Sequence, residues 1–288
     1  MGFTGLARWQ NAPPEGLTLI HKNIVLNHRG VLREKWYLTI KSFRTNFSSI
    51  PGIRVPSERL MWSVTMKDNA FVILEDGTAP TRFDVLQNFG EDVMYETPHF
   101  RQTHMTCNPP GALEALLDQL QARWVSTRGH SQPSGAPQSL QDSGPQLTII
   151  GQVFAVGTDW IVRAGTVQLS GGAMKGMLLE AEYLPLSAFP QTTDETSELL
   201  SNFITAMLPH TADAKTVAIT ISDSQWEELF WDHEDRKGDE QTIKPPEDIY
   251  VSGEDMQSEG RKEDWIGVER DRRAAYLVMG GLRMEGLL

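Results

Sequence analysis

The period of apolar and polar side chains changes along this chain, and each change marks an element. From Trp36 to Phe43 the residues alternate, with Trp36, Leu38 and Ile40 on one side and Tyr37, Thr39 and Lys41 on the other. Leu60, Trp62, Val64 and Met66 alternate again. Lys67-Asp68-Asn69 then turns the chain, and Ala70 to Glu75 returns it to a second turn at Asp76-Gly77. A period of two predicts strands, and Asp-Gly is a strong turn signal. Gly5 to Trp9, His104 to Cys107 and Leu147 to Ala155 read as further strands.

The clearest run is DWIVRAGTVQL from Asp159 to Leu169, then SGGAMKG, then MLLEAEYLP from Met177 to Pro185. β-branched residues and period-two spacing predict two packed strands joined by a glycine turn. In the second, Met177, Leu179, Ala181 and Tyr183 share one face, and Leu178, Glu180 and Glu182 share the other. This predicts a strand buried on the first face and wet on the carboxylate face.

Helical spacing appears elsewhere. Glu15 to Arg29 carries Leu17, Ile20 and Ile24, and the stripe extends to Val31. Leu113, Leu116, Leu117, Leu120 and Trp124 form another stripe, with Asn108 as its expected cap. Thr193 to Leu208 presents Leu199, Leu200, Phe203 and Met207, and Pro209 stops it. Val268 to Met279 reads as a last helix, interrupted at Gly280 and Gly281. Arg44 to Glu58 reads as a loop, and Phe83 to Phe100 fits a short helix or a strand equally. Strands and helices do not alternate as in a doubly wound sheet. The fold class expected is therefore α+β, with an antiparallel, barrel-like sheet and flanking helices.

Composition divides the 288 residues. Asp223 to Asp264 holds fifteen Asp or Glu against five Lys or Arg, so −10 of the net −12 lies there. Thr127 to Gln146 is rich in Gly, Pro, Ser and Gln. The expected organisation is a barrel-like domain over 1–222 with an insertion at 127–146. An acidic, flexible segment follows over 223–264, and a C-terminal helix over 265–288 packs back on the domain. Trp226, Phe230 and Trp231 interrupt the acidic stretch and could pack on the core or dock on a partner.

Candidate chemistry is sparse. A strongly acidic chain is poorly suited to phosphate-backbone binding, and no Lys/Arg run offers a basic patch. The single cysteine, Cys107, allows neither an intrachain disulfide nor a cysteine zinc cluster. No phosphate-binding glycine loop or nucleophile elbow occurs. His99 and His104 do not have the spacing of a helical metal pair. No signal peptide or membrane span is expected, and Leu6 stands where a myristoylation motif wants Ser or Thr. Glu180 and Glu182, two apart on one strand face, are the one suggestive pair. They could hold a divalent cation if facing strands supplied more ligands, as in a metal-dependent phosphohydrolase. Trp160 and Tyr183 could anchor an interface. An acidic adaptor is a further alternative. No catalytic residue, metal ligand set or cofactor is assigned.

Several of these residues together resemble a known family. Asp159, Val162, Gly165, Thr166 and Val167, with Glu180, Glu182 and Tyr183, are similar to subunit 20 of the Mediator complex. MGFTG at the start, RLMWSVTMKDNAFVILEDG, the helix carrying Leu116, Leu117 and Leu120, and the helix around Ala274 to Met279 follow in the family's order. The resemblance implies a barrel-like, non-enzymatic component of the Mediator head module. It implies pairing with subunit 18, tethering by a helix of subunit 8, and work in the nucleus on RNA polymerase II transcription. Contact with the general transcription machinery is a further expectation that the sequence leaves open, and the acidic charge argues against direct sequence-specific DNA binding. Trp160, Glu180, Glu182, Tyr183, Trp226, Phe230 and Trp231 are the expected partner contacts.

Overall fold

The computed structural model describes residues 3–45, 59–89, 97–119, 124–126, 147–184, 198–208, 216–219 and 268–288. Strands β1 (Phe3–Trp9), β2 (Val31–Thr45), β3 (Arg59–Met66), β4 (Asn69–Asp76) and β5 (Gln102–Cys107) come first. They are followed by β6 (Trp124–Ser126), β7 (Leu147–Val156), β8 (Trp160–Leu169), β9 (Met174–Tyr183) and β10 (Thr216–Ile219). The helices are α1 (Gly16–Asn27), α2 (Arg82–Phe89), α3 (Ala112–Gln119), α4 (Glu198–Met207) and α5 (Val268–Met284). The strands form one antiparallel sheet in the order β10-β1-β9-β8-β7-β2-β3-β4-β5, with β6 against the end of β2. Among the described residues its two ends do not pair, so the sheet is barrel-like but open.

The curl follows from one helix. Six strand spacings separate β1 from β4, roughly 29 Å in a flat sheet. An α-helix is only about 10–12 Å across, yet α5 packs against β1, β3 and β4 together. The sheet therefore wraps α5. The alternation seen in sequence sorts residues onto the two faces. Leu6, Trp36, Leu38, Ile40, Val64, Phe71, Ile149, Val167 and Leu178 pack inward on Ala274 to Met279 and Leu282. Trp9, Phe154, Val162, Ala164, Met177 and Leu179 face outward under Ile20 and Ile24 of α1 and Leu200, Ile204 and Met207 of α4. On the outer face of the other half, Leu113 of α3 covers Phe43, Met61 and Val72.

Gly151 and Gly165 sit opposite each other on β7 and β8. A Cβ on Gly151 would lie 2.0 Å from the Ala164 carbonyl oxygen, and one on Gly165 would meet the Trp36 ring at 3.0 Å. Bare backbone at both positions lets the strands approach and gives the indole its seat.

Several sequence expectations are corrected. Gly280 and Gly281 do not interrupt the last helix, which runs on to Met284. Two helical glycines cost about 1 kcal/mol each, and burial of the flanking Tyr276 to Met279 and Leu282 outweighs that. Asn108 is not a cap. It precedes a cis Pro109, and its side-chain amide donates to Asn69 Oδ1, while α3 begins only at Ala112. Trp124 belongs to β6 rather than to the helical stripe, and Val31 opens β2. In α4 it is Ile204, not the exposed Leu199, that completes the buried face. The acidic segment 223–264 and the insertion at 127–146 lie outside the described residues.

Candidate interaction site and the buried charge cluster

Glu180 and Glu182 point into the curl of the sheet, not into water. Each is only 1% exposed, which corrects the expectation of a wet face. The cause is α5, which covers the concave side of β9, so this strand is buried on both faces. Arg163 stands directly opposite Glu180 on β8. Its Nη1 donates to Glu180 Oε1, and its Nη2 donates to Glu182 Oε2 at 3.2 Å. Arg270, in the first turn of α5, donates to the same Glu182 oxygen from Nη2 at 2.7 Å and from Nε at 3.2 Å. Two carboxylates and two guanidiniums thus join β8, β9 and α5 in one neutral cluster.

Electrostatics explains why the group holds together. Burial pushes the Glu180 carboxyl above its ordinary range, and Arg163 and Arg270 pull it only part of the way back. Burial also works against the Arg163 charge, but Glu180 and Glu182 outweigh it and hold the guanidinium charged. Glu180 Oε2 and Glu182 Oε1 are buried without a hydrogen-bond partner. Such a cluster is worth little beyond an apolar replacement, yet it is costly to break from one side.

Further ion pairs fasten α5 along its length. Lys67 reaches Asp271 at 3.1 Å, Arg283 reaches Glu75 at 2.5 Å, and Arg8 reaches Glu285 at 2.9 Å just past the helix. Arg283 also lies 4.5 Å from the centre of the Trp62 ring. Glu182 near the first turn also suits the positive end of the helix dipole. His104 packs edge-on against Tyr276 of α5 with centroids 4.8 Å apart. Burial first, then Arg82 and Arg272, push its pKa down to about 4.

Trp160 and Tyr183 are brought together, as their strands demand: they pair across β8 and β9 with ring centroids 4.7 Å apart. Phe203 of α4 stacks on Trp160 with ring centroids 3.8 Å apart. Both Trp160 and Tyr183 are half-buried. Trp226, Phe230 and Trp231 lie outside the described residues.

Chemically, the cluster is a set of fixed ion pairs. Both carboxylates are engaged by arginine, and among the described residues no three His, Cys, Asp or Glu side chains gather as a metal site. Sequence reasoning missed Arg163 and Arg270 as partners. The signal for burial was there: Glu180 and Glu182 interrupt a run that is apolar on both faces, as in a strand covered from both sides. Arg270 was out of reach, 88 positions along the chain.

No curated protein matches the chain. Among solved structures, the chain is similar to a Hippeastrum protein named for adenylyl cyclase and described by its dominant triphosphatase activity. That likeness has 10% identity and a TM-score of 0.35, over 83% of this chain and 96% of that one. A likeness of that size bears on neither fold nor function. Residues 1–230 match the family described as the TATA-binding related factor of subunit 20 of the Mediator complex. That match spans most of the 288 residues, and the chain belongs to the family of Mediator subunit 20.

Proposed function

We propose that this chain is a non-catalytic structural subunit of the Mediator head module, working in the nucleus on RNA polymerase II transcription through protein contacts. Its partners in this reading are subunit 18 and a helix of subunit 8, with further contacts to the general transcription machinery. The family match over residues 1–230 is the observation that carries the reading. The engagement of Glu180 and Glu182 by arginines is consistent with it, because the most suggestive carboxylates of the chain serve its own packing. The half-buried Trp160 and Tyr183 are offered as partner contacts in the same reading. The test is co-expression of the full chain with subunits 18 and 8, followed by purification through a tag on this chain. A stoichiometric complex is expected. Recovery of this chain without either subunit would sink the reading.

A further inference from the structure

β2 is longer than its neighbour on one side. It pairs with β7 from Val31 to Ile40, but its pairing with β3 begins only at Leu38, opposite Met66, where the chain turns away. Among the described residues, Val31 to Tyr37 therefore has one hydrogen-bonded side and one open side. An open strand edge is a template for another strand.

The side chains here are as unusual as the edge. Val31 to Lys35 are five successive exposed residues, and Tyr37 is exposed beyond the buried Trp36. Leu32 and Tyr37 are 47% and 57% exposed, and Ile150, directly across from Tyr37 on β7, is 45% exposed. Together they leave an apolar strip on the outer face between α1 and α3, beside the open edge. Arg29, Arg33 and Lys35 of this segment are exposed against Glu34, and the exposed Lys67 and Asp68 offset each other at the turn where β3 leaves β2. Over residues 29–37 this is a net of +2 on a chain whose total is −12. None of Arg29, Arg33 and Lys35 forms an ion pair among the described residues. A fringe of like charge repels a second copy of the same edge and favours an acidic strand.

We propose that Val31–Tyr37 is a docking edge for an extended acidic segment of a partner Mediator subunit. The segment adds as a strand beside β2, seats apolar side chains on Leu32, Tyr37 and Ile150, and meets Arg33 and Lys35 with its carboxylates. This rests on the reading that the chain assembles with other Mediator subunits. It adds where, and through what chemistry, one of them binds.

The test uses the full chain co-purified with subunits 18 and 8, with backbone hydrogen exchange read over residues 31–37 in the complex and alone. Exchange is expected to slow at least tenfold on assembly. The variant Arg33→Glu/Lys35→Glu/Tyr37→Asp alters only exposed side chains, so its melting temperature should stay within a few degrees of the parent. Its affinity for the subunits should fall at least tenfold, and the parent's affinity should weaken with added salt. Equal capture by parent and variant, or unchanged exchange at 31–37, overturns the docking edge while the assembly reading stands. Protection already present in the isolated monomer assigns the edge to the chain's own residues and overturns the proposal. A dimer of the isolated chain that the variant abolishes assigns it to a second copy, with the same consequence. Failure of the parent to capture either subunit removes the assembly reading, and the docking edge falls with it.

Discussion

Replacing Arg163 by methionine tests the charge cluster most directly. The side chain is 11% exposed and bridges two carboxylates that are themselves almost wholly buried. Without it, Glu182 keeps Arg270, but Glu180 keeps no ion-pair partner among the described residues. Breaking a buried pair from one side costs about 3–5 kcal/mol, a large part of the roughly 5–15 kcal/mol available to a folded domain. The loss should depend on pH. Burial already holds the Glu180 pKa above its ordinary value, so the folded chain keeps this proton to higher pH than the unfolded chain. Stability from this group is therefore present at low pH and is lost as pH rises through the folded pKa. Removing Arg163 raises that pKa further and steepens the loss. Urea unfolding followed by tryptophan fluorescence at pH 7 and pH 5.5 measures both effects. The deficit should be larger at pH 7, and Arg163→Met/Glu180→Met should recover most of it, because an apolar pair leaves no orphan charge. A deficit under about 1 kcal/mol at pH 7, or a double variant no better than the single, refutes the argument.

Other expectations follow from the seat of α5 and from the glycines. His104 has a folded pKa near 4 against 6.5 in the ordinary state, so its contribution is fully present above about pH 6.5 and is lost as pH falls to about 4. The loss is about 3 kcal/mol, and His104→Phe should flatten the stability profile across that window. Leu277 is fully buried in the groove, and Leu277→Ala should cost about 2–5 kcal/mol in chemical denaturation. Gly151→Ala places its Cβ against backbone that cannot rotate away, so a loss of about 3 kcal/mol or insoluble expression is expected. Gly280→Ala is the contrasting case. Its Cβ would meet nothing within 4 Å, so the helix gain of about 1 kcal/mol should appear as a higher melting temperature.

Strands were the most legible part of the fold because each carries its own period. β3, β4, β7, β8 and β9 lie within a few residues of where alternation put them. What alternation could not say was which face meets what. On β9 it separated Leu178, Glu180 and Glu182 from Met177, Leu179 and Ala181 correctly, since the two sets join different sides of the sheet. It then assigned the carboxylate set to water, because isolated carboxylates are rarely buried. These two are not isolated, and the covering helix and half of their countercharge arrive from the far end of the chain. Local propensity failed at Gly280 and Gly281 for a related reason. A helix enclosed by a sheet is stabilised by its surroundings more than by its own sequence.

Glu180 and Glu182 are buried and present almost no surface to a partner. A carboxylate already held by Arg163 or Arg270 has little to offer a partner without loosening α5, so recognition belongs where charge and apolar surface remain unengaged. The exposed first half of β2 meets that condition, with Arg29, Arg33 and Lys35 and the Leu32, Tyr37 and Ile150 side chains beside an open edge. Trp160 does so only in part, because Tyr183 and Phe203 already take up its ring. The two surfaces predict different signatures. A contact through Trp160 should be nearly indifferent to salt, whereas one through β2 should weaken as salt rises, because its cations are exposed and screened. A salt series on the purified assembly, with Trp160→Ala beside the β2 variant, therefore tells which surface carries the partner.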